Sequence, residues 1–356
     1  MNDAASSAGT IEKPGPQGYK CLVTGGSGYV GGVLVRELIQ RGHRPCVLDI
    51  ADSPERSVET AFFQGDIRDE TLVRQACKGV DVVYHAVAKV PLAKDKKLYW
   101  SVNYEGTERV LRAALESKVK KVVYISSSAV FGIPPKNPVD DSVEPNPREE
   151  YGRSKLTSEL MCKTYIARGM DIGIIRPRTV LGPGRLGIFQ LIFEWIWRGY
   201  NVPVLGGGNN LYQFVHADDL ADACIRVAEK PGSDTYNVGA ESFCTMRECL
   251  ESLIEHSGSR SRVKSLPLSL AVPLMHISSK LNLSPLGAYH SLMYGRSMYF
   301  DNTKAISELG WLPKHGNIDM LRDSYDWYTA NRHALSTSKE RSPHRSIVKP
   351  GLLTLL

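Results

Sequence analysis

Tyr151 and Lys155 stand four positions apart in the run NPREEYGRSKLTSEL. Positions i and i+4 share one face of a helix, so a phenol and an ammonium at this spacing meet either as a solvated surface pair or as an acid/base couple. A free phenol titrates near pH ~10, too high for a general base at neutral pH. A neighbouring cation favours the phenolate and lowers that value. Just upstream, Ser126, Ser127 and Ser128 close the apolar run KKVVYI, where a hydroxyl could hydrogen-bond a reacting oxygen.

A second constellation bears on what such a couple would act with. VTGGSGYVGG spaces Gly25, Gly28 and Gly31 between a strand-like run and a helix-like one. In such a loop the first glycine permits a tight turn, the second lets the backbone approach a pyrophosphate, and the third lets helix and strand pack closely, while the helix N-terminus favours the anion. A ligand-free glycine turn has the same composition, but here the preceding strand, the following helix and a downstream acid agree. That acid, Asp49, ends the next strand. A carboxylate there accepts from both adenosine ribose hydroxyls and repels a 2′-phosphate, so NAD is expected rather than NADP. Asp66, in QGDIRD, could face the adenine or cap the next helix. Tyr29, Val30 and Ile67 complete the expected cofactor-binding set. A bound cationic nicotinamide would add to Lys155 in lowering the Tyr151 phenol.

The elements that must position these groups alternate in a simple order. KCLVTGG, PCVLDI, AFFQGDI, DVVYHAVA, KKVVYISSSAVFG and DIGIIRPRTV read as strands, with helices at YVGGVLVRELIQRG, VNYEGTERVLRAALESK and about residues 149–168. Repeated β-α-β order implies an α/β, doubly wound parallel-sheet Rossmann fold. Past Pro183 the regularity weakens: GIFQLIFEWIWRG, DDLADACIRVAEK, TMRECLESLIEHSG and NTKAISELGW read as helices, with DTYNVG a short strand. The expected organisation is a disordered leader (1–18), an NAD-binding domain (19–182) whose core recruits segments near 209–240, a mainly substrate-binding lobe (183–330) and a flexible basic tail (331–356).

Composition narrows the class of protein. The 356 residues are 42% hydrophobic, enough to fill a sizeable core. The net charge of +6 is concentrated in the tail, where Arg332, Lys339, Arg341, Arg345 and Lys349 face Glu340, five cations less one acid, or +4. No nucleic-acid footprint is therefore expected. Seven scattered cysteines without a C-x-x-C pair suggest neither a disulfide framework nor a metal site, and point to a reducing, cytoplasmic setting. The leader lacks the apolar core of a secretory signal, and no apolar run is long enough to span a bilayer.

Taken in order, TGGSGYVGG, HAVA, NYEGT, YISSSAVFG, YGRSK, RPRTVLGPG and FVHADDLADA resemble the extended short-chain dehydrogenase/reductase family, the NAD-dependent epimerase/dehydratase group, over residues 19–330. The resemblance implies that Tyr151 is the catalytic base, that Lys155 holds the nicotinamide ribose and tunes the tyrosine, and that Ser127, four positions before Phe131, is the catalytic hydroxyl. Asn103, in NYEGT, is implied as the helix asparagine that supports the active-site strand and joins the cofactor-binding set. Homodimers built from outer-face helices are usual in the family.

Dehydratases and decarboxylases of this group carry an acid one or two positions after the catalytic Ser/Thr. Here those positions are Ser128 and Ala129, so the expectation is simple oxidation and re-reduction at one carbon of a nucleotide sugar. Its expected contacts are Ser128, Thr179, Arg185, Tyr212 and Arg296. Tyr212 stands where related epimerases often place a diphosphate-binding arginine, and Arg185 and Arg296 are the candidate replacements. The alternative is a 3β-hydroxysteroid-dehydrogenase-like oxidoreductase acting on an apolar alcohol, since GIFQLIFEWIWRG and LPLSLAVPLMHISSKLNL could line a lipid pocket or touch a membrane surface weakly. A non-catalytic dinucleotide sensor is the third reading; retention of both Tyr151 and Lys155 argues against it.

Overall fold

The computed structural model describes residues 18–90, 95–267, 269 and 294–337. The leader to residue 17, nearly all of the apolar stretch 266–283 and the chain after 337 lie outside the described residues. The first half alternates strand and helix: β1 (Lys20–Thr24), α1 (Tyr29–Gln40), β2 (Arg44–Asp49), β3 (Phe62–Gln64), α2 (Glu70–Cys77), β4 (Val82–His85), α3 (Glu105–Glu116), β5 (Lys121–Ile125), α4 (Glu150–Ile166) and β6 (Ile172–Pro177). There follow β7 (Thr179–Leu181), α5 (Ile188–Arg198), β8 (Val202–Leu205), β9 (Leu211–Tyr212), β10 (Phe214–His216), α6 (Ala217–Glu229), β11 (Asp234–Val238), β12 (Cys244–Thr245), α7 (Met246–Ser257), β13 (Val263–Leu266), α8 (Thr303–Leu309) and α9 (Asn317–Thr337).

Seven strands form one sheet in the order β11-β6-β5-β4-β1-β2-β3, every pair parallel. The order reverses between β1 and β4, and a doubly wound sheet opens its binding crevice at that switch point, beyond the carboxyl ends of the strands. Successive side chains of a strand point to opposite faces. Cys21 and Val23 accordingly pack under α1 and α6, whereas Leu22 packs under the layer that contains α2, α3 and α4. A separate core built from α5, α7, α9 and β8 fills the lobe above.

Four details depart from expectation. The run DIGIIRPRTV is not one strand: Pro177 ends β6, and β7 leaves to pair with β10 in a small sheet of its own. Proline has no N–H to continue a ladder. The serine run is not strand either, since β5 stops at Ile125 and Ser128–Phe131 forms a 3-10 turn. The helix of NYEGT begins with a π-helical segment, Tyr99–Tyr104, before α3. Finally, α9 carries the chain beyond the expected tail boundary at 331, to Thr337; Arg332, counted with that tail, instead clamps Glu194 of α5 with two hydrogen bonds of 2.8 Å.

Candidate active site

A cleft of about 820 Å³ runs from the glycine loop across the carboxyl edge of the sheet to the lobe. Its wall includes Gly25, Gly28, Tyr29, Val30, Gly31, Asp49, Asp66 and Ile67 at one end. Ser127, Ser128, Tyr151 and Lys155 line its middle, and Thr179, Arg185 and Tyr212 its far side.

At the loop, Gly25 has φ +74° and donates to Leu48 O at 2.8 Å, which bends the chain back over β2. A Cβ at Gly31 would lie 2.1 Å from Gly25 O, so only glycine lets α1 begin this close to β1. No side chain caps the start of α1, and the buried Ser27 Oγ has no hydrogen-bond partner. Both leave polar groups free at a helix N-terminus, the place where an anion is favoured. The Asp49 carboxylate is fixed by Ser27 N at 3.1 Å and Ile50 N at 2.7 Å; burial raises its pKa and these amides oppose the rise. Asp66 is forked by Arg68, which holds its carboxyl below the usual range. The loop residues present thus fit a dinucleotide: an amide-rich turn for the pyrophosphate and a fixed carboxylate at the end of β2.

The middle of the cleft is built by α4. Glu149 caps that helix, accepting from Tyr151 N at 2.7 Å and Gly152 N at 2.6 Å. A Cβ on Gly152 would meet Ala129 O at 2.4 Å, so α4 presses directly on the serine turn because this position is glycine. The glycine in YGRSK thereby brings Tyr151 to the serines. Tyr151 is buried, with Tyr99 edge-on at 5.9 Å, and lines the cleft together with Ser127. Lys155 is buried one turn on; its Nζ donates to Ile125 O at 2.8 Å and lies 4.8 Å from the Tyr124 ring.

The three serines have three different partners. Ser126 donates to Glu159, which is also bound by Arg176; Ser127 accepts from Ala129 N at 3.2 Å; and Ser128 accepts from Arg178 Nη1 at 2.9 Å.

One electrostatic expectation is corrected. Lys155 does not hold the phenol down in this structure: burial raises the Tyr151 pKa above its ordinary value, and the nearby Ser127 only moderates the rise. The physical reason is aim. The ammonium is directed at the Ile125 carbonyl, and burial lowers its own pKa to about 8.

Asn103 does not form part of the cleft wall. It is buried behind it, accepting from Lys89 N at 2.7 Å and donating to Lys89 O and Ser154 Oγ, so it braces the segment after β4 against α4. Arg296 is exposed and lies outside the lining as well. Arg185 is at the cleft, its guanidinium 5.9 Å from the Tyr29 ring, and burial lowers its pKa to about 10. Tyr212 pairs with Thr179 Oγ1 at 2.8 Å.

Sequence reasoning missed Arg178. This residue is 1% exposed and lines the cleft, with its guanidinium 5.0 Å from the Tyr212 ring. Nothing in the local pattern RPRTV distinguishes it from Arg176, which lies two residues earlier and is fully paired with Glu159. The GIFQLIFEWIWRG segment is a core helix through Phe189, Leu191, Phe193 and Ile196, with Trp197 and Tyr200 about half exposed at its end. No helix among the described residues is long and apolar enough to cross a membrane.

An uncharacterised protein of Sinorhizobium fredii, y4nG, is 50% identical to this chain over 94% of its length and 85% of the relative's. A UDP-glucose 4-epimerase of Lactobacillus helveticus is 29% identical, covering 88% of this chain and 98% of its own. Among solved structures, MoeE5 in complex with UDP-glucose and NAD superposes with a TM-score of 0.72 at 26% identity, over 88% of this chain and 99% of that one. Residues 21–239 match the NAD dependent epimerase/dehydratase family. That span runs through the strands of the sheet from β1 to β11, and the chain belongs to this family of NAD-dependent enzymes.

Proposed function

We propose that this enzyme epimerises a nucleotide sugar, and the observation that carries the reading is a cleft that begins at the glycine loop and gathers Ser127, the buried Tyr151 and Lys155 on its wall. NAD, when bound, takes hydride from the carbinol carbon and returns it to the opposite face. The chain's own residues do the rest. Ser127 holds the reacting oxygen by hydrogen bonding, and Tyr151 removes and later restores its proton. Asp49 receives the adenosine ribose hydroxyls, and Lys155 the nicotinamide ribose. Because the phenol of the ligand-free protein is raised by burial, Tyr151 becomes a useful base only when a cation is brought beside it. Cofactor binding and base activation are therefore linked.

The sugar reading is supported by the relatives named above and by polar groups, Thr179, Tyr212 and Arg185, on the far wall. We also place the enzyme in the cytoplasm, which its seven free cysteines support, and assign it a homodimeric state, for which the 53%-exposed Leu160 on the outer face of α4 is a candidate contact. The test is to incubate purified protein with UDP-, GDP-, CDP- and dTDP-sugars and with sterols, following absorbance at about 340 nm for the reduced cofactor and the stereochemistry of the products. Inversion of a sugar without net NADH, abolished in Tyr151→Phe, is the expected result. Net NADH with a sterol and no reaction with any sugar would replace this reading with the sterol oxidoreductase. Indifference of every activity to Tyr151→Phe would leave a dinucleotide sensor.

A further inference from the structure

Arg176 and Arg178 leave the same strand end two residues apart, yet their surroundings differ. Arg176 meets the Glu159 carboxylate at 2.6 Å. Arg178 is more deeply buried, at 1% exposure, and has no carboxylate partner among the described residues. Its Nη1 donates to Ser128 Oγ at 2.9 Å, while Nε and Nη2 are buried without any hydrogen-bond partner. The guanidinium is held by ring faces, 5.0 Å from Tyr212 and 5.8 Å from Phe300. A guanidinium is a cation at neutral pH, so this is a desolvated charge with two open donors. A buried charge without a counterion is a strong destabiliser unless something supplies one.

Its position says what would supply it. Arg178 lines the cleft, and the serine it binds is adjacent in sequence to Ser127, which lines the same cleft as Tyr151. Nε and one Nη of a guanidinium form the edge that receives two oxygens of one anion side by side. We propose that Arg178 is the substrate-anion site of this cleft, its Nε and Nη2 receiving a pair of anionic oxygens of the substrate next to the carbon that Tyr151 serves. This rests on the reading of the cleft as a hydride-transfer site for a hydroxylated substrate. A carboxylate on the reacting sugar fits the planar fork best; the diphosphate of a nucleotide sugar is the other source of such oxygens.

The experiment uses NAD-loaded protein and a matched pair, UDP-glucose and UDP-glucuronate, with UDP alone as a third ligand, each titrated calorimetrically against wild type, Arg178→Gln and Arg178→Lys. A sugar carboxylate at Arg178 predicts that Arg178→Gln weakens UDP-glucuronate about 10- to 100-fold and leaves UDP-glucose and UDP within about twofold, the range expected for lost charged hydrogen bonds. Arg178→Lys, which keeps the charge without the fork, should recover part of the loss. A diphosphate at Arg178 predicts an equal loss for all three ligands. Affinities within twofold of wild type for every ligand overturn the proposal.

Arg178→Met separates this role from a structural one. Removing an unpaired buried charge should leave the melting temperature of the ligand-free protein at or above wild type, and a lower value with unchanged affinities would make Arg178 a packing residue. Should wild type bind no nucleotide sugar, the proposed function fails, and free glucuronate at millimolar concentration still reads the anion site. A rise in melting temperature that Arg178→Gln lacks upholds it; the same response in both proteins overturns it.

Discussion

Lys155→Met should make the ligand-free protein more stable while abolishing turnover. Burial moves the Lys155 ammonium from its ordinary 10.5 to about 8. Between those values the folded chain binds fewer protons than the unfolded chain, so stability rises with pH across that window and is at its lower plateau below about pH 8. At neutral pH, keeping this amine charged inside the fold costs about 3 kcal/mol, at about 1.4 kcal/mol per pH unit. Methionine removes that cost and also removes the hydrogen bond to Ile125 O, worth about 1 kcal/mol. The difference leaves the variant about 2 kcal/mol more stable at pH 7, a rise of roughly 3 °C in melting temperature. Glu159 does not become an orphan, because Arg176 and Ser126 still bind it. Thermal melts of both proteins without NAD, at pH 7 and at pH values approaching 10.5, are the assay. The gap should close as the wild-type amine loses its proton, and reverse at the upper end, where the neutral amine still donates to Ile125. A variant that melts below wild type at pH 7, or a gap that does not change with pH, would refute the reasoning.

Tyr151→Phe keeps the ring against Tyr99 and removes the proton acceptor, so turnover should fall about 10²- to 10⁴-fold while NAD affinity and melting temperature stay near wild type; single-turnover kinetics and an NAD titration check this together. Gly31→Ala places a Cβ 2.1 Å from Gly25 O, and the start of α1 must move. A loss of about 1–3 kcal/mol in urea unfolding and a much weaker NAD titration are expected. Asp219 is buried and accepts from Lys314 N, His315 N and His315 Nδ1, tying the segment before α9 to α6. Asp219→Asn should cost about 1–3 kcal/mol, and more at pH 6 than at pH 8. The Asp219 pair raises the His315 pKa, and the stability this adds is complete below the unfolded value and lost as pH rises through the folded one. Urea midpoints at the two pH values decide it.

The parts of this fold that were legible in the sequence are those set by local pattern. KCLVT and KVVYI are buried on both faces, so each reads as an unbroken apolar run, and the positive φ of Gly25 and the crowding at Gly31 are conditions that glycine spacing announces. Long-range placement was harder to read. DTYNV was recognisable as a strand, but nothing in five residues tells that it returns to pair with β6 at the sheet edge, after the chain has built β7 to α6. The end of β6 was misplaced because apolar character continues through Val180 and Leu181 after the ladder has been interrupted at Pro177.

The site divides in the same way. Tyr151, Lys155 and Ser127 could be named because order along the chain carries them, whereas the state of each charge could not, since it depends on partners from distant segments. Arg176 and Arg178 are the same residue type at the same strand end, and partners from distant segments distinguish them, Glu159 for the one and Ser128, Tyr212 and Phe300 for the other. Asn103 could be named from its motif as a support for the active-site strand, but its actual partners, Lys89 and Ser154, could not be read from it.

These partners give the cleft a consistent electrostatic character. The carboxylates in and around it are already engaged: Asp49 by Ser27 and Ile50 amides, Asp66 by Arg68, Glu149 by the first amides of α4, and Glu159 by Arg176. The donors are not. Ser27 Oγ and two guanidinium nitrogens of Arg178 have no partner, and the Lys155 ammonium meets only a carbonyl and a ring face. A site arranged this way is destabilising when empty of anions and favourable once they arrive, so binding and stability should rise together. On the readings proposed above there are two anionic positions, one at the glycine loop and one at Arg178, with Tyr151 on the cleft wall between them. A substrate anchored at Arg178 and a cofactor anchored at the loop would meet at Tyr151, and on the proposed mechanism its phenol, raised by burial in the ligand-free protein, would have to fall in pKa on binding to act as a base.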